Sequence, residues 1–214
     1  TFSSSEFAVR PFLRQDLQYT LAVMEGWSSS ADHHVRRLAS EGCRPRLPWS
    51  FQLQALLKDP APVVPILNNL RADSSLYVRK SVANHLNDIS KDHPEWMLDW
   101  VAGWERDDEH TAWIVKRAAR SLIKAGHART FVLLGFEEKP QVEVGALVLS
   151  AQELRLGASL SFSFVLKSQK QKAQKLAVDY AVHYVKKLGQ TRSKVFKLKE
   201  LSLASGGEVE ISKK

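Results

Sequence analysis

The 214-residue sequence predicts a mainly α protein, a superhelix of paired α-helices, followed by a small β-sandwich. A Val-Arg-type step recurs inside amphipathic segments, at Val9-Arg10, Val35-Arg36, Val78-Arg79 and Val115-Lys116, at intervals of 26, 43 and 37 residues. After Phe136 the apolar period falls from the helical value to about 2, the mark of strands. HEAT-like units repeat every ~40 to 47 residues, so the later intervals fit such repeats and the first implies a shortened one.

Each step falls in the second helix of an antiparallel pair, with first helices expected at 16–26, at 50–58 with 62–71, and at 94–105. The segment 75–90 is the clearest. Val78, Val82, Leu86 and Ile89 fall at helical spacing and form one apolar stripe that must face the stack. Ser81, Asn84, Asp88 and Lys91 form a second stripe, wholly polar, expected to face outward or into a groove. Asp73 or Ser74 can cap the start, and Pro94 fits the first turn of the next helix. A further helix is expected over 110–125, with Trp113, Ala119 and Leu122 among its apolar positions and Gly126 as its stop. Strands are expected at 141–149, 152–166, 176–185 and 194–203; Leu176, Val178, Tyr180, Val182 and Tyr184 occupy every second position of the third. The expected domains are therefore 1–136, helical and truncated at its N-terminus since the chain opens at Thr1 without methionine, and 140–214, with room for further strands at its end.

No window approaches 18 consecutive apolar residues and no charged-then-apolar leader opens the chain, so neither a membrane span nor a secretory signal is expected and the chain reads as cytosolic. Cys43, the single cysteine, can form no internal disulfide and matches no zinc spacing; no metal or cofactor is implied. The net charge of +8 is local. Residues 1–166 hold 19 basic and 19 acidic residues, whereas 167–199 hold ten basic residues against Asp179 alone. Such a segment serves a polyanion through phosphate neutralisation; a lysine-rich surface that keeps the protein soluble accounts for the same charge.

Two stretches are dense in chemistry. In Arg-Arg-Leu-Ala-Ser-Glu-Gly-Cys-Arg-Pro-Arg-Leu-Pro-Trp (36–49), Glu41 stands at a helix end whose dipole disfavours an anion, so a cation should compensate it; Arg37 and Arg44 are both in reach as an ordinary surface network. Trp49 reads on its own as a core or interface aromatic. In Val-Ala-Asn-His-Leu-Asn-Asp-Ile-Ser-Lys-Asp-His-Pro (82–94), Asp88 shares the polar stripe with Asn84, which is placed to orient its carboxylate; a solvated helix face is the bland reading of that stripe. With one imidazole in phase, Asn84, His85 and Asp88 make a poor metal set.

Both phrases resemble the DNA alkylation repair family of HEAT-like DNA glycosylases, and more its AlkC branch than its AlkD branch, since AlkC-type members carry both phrases and some add a C-terminal immunoglobulin-like domain. The resemblance covers about residues 3–136 strongly and the β domain loosely. It implies excision of cationic N3-alkylated bases such as 3-methyladenine from double-stranded DNA by a monomer without a deep flipped-base pocket. Glu6, Glu41 and Asp88 match its acidic active-site residues, and Trp49 matches an aromatic lining its cleft. Asp88 is the expected main electrostatic stabiliser, with Glu41 and Glu6 assisting. Arg44, Arg46, Arg79, Lys80, Ser81, Asn84 and Lys91 are the expected DNA and lesion contacts beside them, joined by Lys167, Lys170, Lys172 and Lys194 from the β domain. The competing reading is a non-catalytic HEAT-repeat scaffold that binds DNA or a partner protein.

Overall fold

The structure, a computed structural model, describes residues 5–105 and 107–214. The chain divides into two compact units, Thr1–Thr130 and Phe131–Lys214. Residues 131–136, expected with the helices, cluster with the β unit, where Phe131 meets Phe136 edge-on and the Lys175 ammonium lies 4.5 Å from the Phe136 ring centroid.

The helical unit runs α1 (Ser5–Ala8), α2 (Arg10–Gln15), α3 (Leu17–Ser28), α4 (His33–Gly42), α5 (Gln54–Lys58), a 3-10 turn at Ala61–Val63, α6 (Val64–Asn69), α7 (Leu76–Ile89), α8 (Pro94–Ala102), α9 (Glu109–Ala118) and α10 (Arg120–Lys124). The second helices stack: α4 packs on α7 and α7 on α9, while α3 packs on α4 and α6. The Val78, Val82, Leu86, Ile89 stripe is fully buried, as its spacing requires. Asp32 and Asp108 cap α4 and α9 by accepting backbone N–H bonds from His34 and Thr111. Asp73 instead closes the turn before α7, accepting from the Ser75 N–H at 2.8 Å.

The recurrent arginine now has a physical role. Arg36 donates to the Ser30 and Ala31 carbonyls of the turn before its own helix, both at 2.9 Å, and Arg79 donates to those of Asp73 and Ser74 at 2.8 and 2.7 Å. Arg36 also grips Asp73 of the next repeat through two bonds, at 2.6 and 3.1 Å. At Arg36 and Arg79 the step ties the helix to the turn before it and, at Arg36, one repeat to the next.

The helix expected over 110–125 is two helices, because Ala119 (φ −73°, ψ 0°) departs from helical geometry between α9 and α10. Gly126 ends α10 as its sequence position implies: its φ of 71° lets the His127 N–H return to the Leu122 carbonyl at 3.0 Å. α11 (Ala128–Leu133) follows. No helix among the described residues is long and apolar enough to cross a membrane.

The β unit holds β1 (Val142–Val144), β2 (Val148–Leu149), β3 (Phe162–Ser168), β4 (Gln174–Val185), β5 (Thr191–Leu203) and β6 (Glu208–Lys213). All pairings are antiparallel: β1, β2 and β6 pair with β3, and β4 with β5 as a long hairpin. Leu166, Leu176, Leu203 and Ile211 form its core. Three expectations change. The strand at 141–149 is broken in two at Gly145, whose N–H bonds the Val165 carbonyl. Most of 152–161 is turn rather than strand; its leucines 154, 156 and 160 are exposed, so their alternation has no core to face. β6 is an addition to the expected strands, since its alternation of charge and β-branched residues is short and follows directly on a Gly-Gly turn.

Candidate functional site

Glu41 is the penultimate residue of α4, and the chain then turns through Cys43 and Arg44 toward α5; Asp88 is the penultimate residue of α7. The packing of α4 on α7 brings these residues together although Arg44 and Asp88 are 44 positions apart. The Arg44 guanidinium is the hinge. Its Nε and Nη2 donate to Asp88 Oδ2 at 2.9 and 2.8 Å, while Nη1 donates to Glu41 Oε1 at 2.7 Å. Ser81 donates its hydroxyl to Glu41 Oε2 at 2.6 Å, and Arg37 approaches Glu41 Oε1 at 3.7 Å. Lys91 reaches the other Asp88 oxygen at 3.3 Å.

Ser81 and Asp88 of the polar stripe therefore do not face outward, whereas Asn84 is half-buried and Lys91 exposed. Asp88 and Ser81 are 2 % and 1 % exposed and Glu41 5 %, so this is a buried charge network with each ion paired, as low dielectric demands. Asn84 does not orient Asp88; its carbonyl oxygen accepts from Arg120 at 3.0 Å. The two faces of Asp88 differ. Oδ2 is gripped by a buried guanidinium, whereas Oδ1 meets, among the described residues, a lysine whose side chain is 46 % exposed.

Glu6, on α1, is also buried, and its Oε2 has no hydrogen-bond partner among the described residues. It lines a cavity of about 80 Å³ with Asp32, His34, Arg37, Leu38 and Tyr77. Arg37 joins the two halves of the site: it lines this cavity, lies over the Tyr77 ring at 4.4 Å and approaches Glu41. Asp32, His33 and His34 bring three potential ligand atoms within 4.8 Å of one another at the start of α4, where Asp32 already serves as helix cap.

The remaining residues expected at this site divide by their partners. Arg46 makes a two-pronged bond to Asp92 at 2.9 and 2.7 Å, which holds the Asp92 carboxyl below its ordinary range, and Arg79 is committed to its turn. Lys80 is exposed. Trp49 is 99 % exposed, not core, and its φ of 63° is a left-handed conformation that an indole-bearing residue adopts only when its surroundings impose it. In the β unit, Lys170 pairs with Glu137 and Lys194 sits over Phe196. Lys172 is exposed, and so is Lys167, which stands in register between Glu143 and Glu208.

Some members of the site carry little signal in the sequence. Arg37 and Tyr77 are legible only as parts of dense phrases. His85 lies fully buried on α7, its Nδ1 3.0 Å from the Ser40 carbonyl, and burial, with Arg44 nearby, lowers its pKa to about 3. It is neutral at physiological pH and fixes the last turn of α4.

The family model of the DNA alkylation repair enzymes matches residues 1–122. The chain belongs to this family. A second family model, the C-terminal Ig-like domain of the uncharacterised protein YhaZ, matches residues 143–214, so the β unit is Ig-like. YhaZ of Bacillus subtilis (strain 168) is 46% identical over 202 residues, which cover 94% of this chain and 56% of that protein. The solved structure of Pseudomonas fluorescens alkylpurine DNA glycosylase AlkC, bound to DNA containing an abasic site analog, is 53% identical with a TM-score of 0.92, covering 97% of this chain and 58% of the other. AlkD2 from Streptococcus mutans is 28% identical over 54% of each chain, with a TM-score of 0.46. The chain thus spans somewhat more than half the length of YhaZ and AlkC. Within the DNA alkylation repair family it resembles AlkC over 97% of its length, and it has a helical body followed by a C-terminal Ig-like domain.

Proposed function

We propose that this chain is the lesion-processing portion of a DNA glycosylase that hydrolyses the N-glycosidic bond of cationic alkylated bases, 3-methyladenine among them, in duplex DNA. The observation that carries this is the buried carboxylate pair Asp88 and Glu41 held on one guanidinium, with buried Glu6 lining a cavity shared with Arg37, which in turn approaches Glu41. The likeness to AlkC supports it.

The chemistry needs such carboxylates and little else. An N3-alkylated purine is already cationic and leaves as a neutral base, so no proton donor is required. The deoxyribose then develops oxocarbenium charge, which fixed carboxylates stabilise while one of them orients the attacking water. Asp88 offers its Oδ1 face for this, since Lys91, whose side chain is half exposed, is free to swing into solvent and give way to the sugar cation. Glu6 has an oxygen that bonds no group among the described residues and is suited to the water. Trp49, fully exposed on the loop after α4, stacks on the lesion-side sugar or base. The basic β4–β5 hairpin, with exposed Lys186, Lys187, Arg192 and Lys194, adds phosphate contacts.

Single-turnover release of free base from duplexes carrying 3-methyladenine, uracil or hypoxanthine tests this reading. Release of 3-methyladenine far faster than of either neutral base is expected. Comparable rates would require a protonating acid and defeat the mechanism. No release of any base, with DNA still bound, would establish the scaffold.

A further inference from the structure

We propose that Arg10 is a positioning residue for base excision, fixing the loop that presents Arg44 and Trp49 without itself touching DNA. The inference rests on the glycosylase reading above. Arg10, at the start of α2, is 0 % exposed, and its hydrogen bonds among the described residues all go to backbone carbonyls. Its Nη1 donates to the carbonyls of Gly42 and Arg44 at 2.9 and 2.8 Å, and its Nη2 donates to that of Phe51 at 2.5 Å.

These acceptors share one property: they stand at the two ends of the loop that follows α4. Gly42 and Arg44 are at its departure and Phe51 at its return, and between them lie Arg46 and Trp49. A single buried side chain thus closes the loop like a clasp. The cation is matched to its place, because the carbonyls ending a helix lack intrahelical donors and carry the negative end of its dipole. Burial lowers the Arg10 pKa to about 10, so the guanidinium stays charged at neutral pH.

Packing alone does not call for this arrangement. A methionine or leucine would fill the space at no cost in buried charge, whereas an arginine buried without an acid is retained for the geometry its fork imposes. That geometry bears on the site twice. The Arg44 carbonyl is held by Arg10 while the Arg44 side chain bridges Glu41 and Asp88, so backbone drift at Arg44 moves both carboxylates. The left-handed Trp49 is strained and persists only while the loop ends are fixed. Gly42 shows how closely the pieces abut: a Cβ there would meet Val9, the neighbour of Arg10, at 2.6 Å.

The test is Arg10→Lys, which keeps the charge but cannot span three carbonyls, examined with Arg44→Lys and the double variant. Single-turnover excision of 3-methyladenine at saturating DNA, affinity for an abasic-analogue duplex and melting temperature are measured for each. Arg10→Lys, still folded at the assay temperature, should lower the excision rate constant by roughly 30- to 100-fold, with affinity changed less than about threefold. The double variant should be little slower than the slower single, since both disturb one arrangement. Losses that multiply, or an unchanged rate in folded Arg10→Lys, would overturn the proposal. If Arg10→Lys does not fold, Phe51→Leu loosens the same clasp by removing the ring 5.3 Å from the Arg10 guanidinium, and an unchanged rate there would be equally fatal. Should Arg44→Lys and the unsubstituted chain release no base at all, it is the glycosylase reading that fails.

Discussion

The two units carry their cations in opposite ways. In the helical unit the arginines that shape the site are committed: Arg10 to three carbonyls, Arg44 to two carboxylates, Arg36 to Asp73 and its own turn. In the β unit most of the basic residues are lysines on exposed strand and hairpin positions, with few fixed partners. The difference follows from the side chains. A guanidinium is a planar fork that sets distances between several acceptors, while an ammonium on a flexible stem is a mobile point charge suited to a diffuse phosphate field. On the proposed reading the helical unit uses charge for geometry and the β unit uses it for attraction, so substitutions in the two should damage different steps.

The largest effect should come from the geometric side. Asp88→Asn is expected to lower single-turnover excision by about 100-fold or more, while DNA affinity changes little. It should also cost about 1 to 3 kcal/mol of stability, because it leaves Arg44 buried with one carboxylate instead of two. Excision and urea denaturation measured on one preparation separate the two losses, and an undiminished rate would remove Asp88 from the chemistry.

Next is the field. Replacing Lys172, Lys186, Lys187 and Lys194 together by glutamine should weaken DNA binding and flatten the dependence of log K on log salt. The slope should fall by up to about 0.9 for each phosphate no longer neutralised, with the excision rate at saturation nearly unchanged. An unaltered slope would assign these lysines to solubility and remove the contrast between the units.

The third effect is acid sensitivity of the helical unit. His85 has a folded pKa of about 3 against an ordinary value near 6.5, so between these values the unfolded chain binds the proton and the folded chain does not. Stability is thus fully present above about pH 6.5 and lost as pH falls, by about 1.4 kcal/mol for each unit below it until the folded group titrates. Helical melting followed at pH 7.5 and 5 should show the fall in the natural chain and a smaller one in His85→Gln. The smallest effect is expected at Arg46. Its pair with Asp92 is about a quarter exposed, and Arg46→Gln should cost no more than about 1 kcal/mol. A larger loss of excision than of stability would give Arg46 a direct part at the DNA.

What the sequence determined by itself is what short-range periodicity and local chemistry carry. The apolar stripe of α7 is legible because Val78 to Ile89 repeat at helical spacing, whatever they pack against. The same holds for Gly126 as a stop, for the change of period after Phe136, and for the dense phrases around Glu41 and Asp88. Tertiary structure decided where the polar residues go. Seen locally, Ser81 and Asp88 look like a solvated face; they are buried because α4 lies across them and delivers Arg44 from a distant part of the chain to pair the charge. Arg10 looks like one more surface arginine until the loop after α4 returns 32 to 41 positions later to present three carbonyls. The first part of the strand expected over 152–166 fails for the converse reason, since its leucines 154, 156 and 160 are exposed and their alternation finds no core to face, while 162–166 lies in β3. Burying an apolar side chain needs only some apolar neighbour, which a pattern along the chain can announce. Burying a charge needs one particular partner at hydrogen-bond distance, and only the folded chain supplies it.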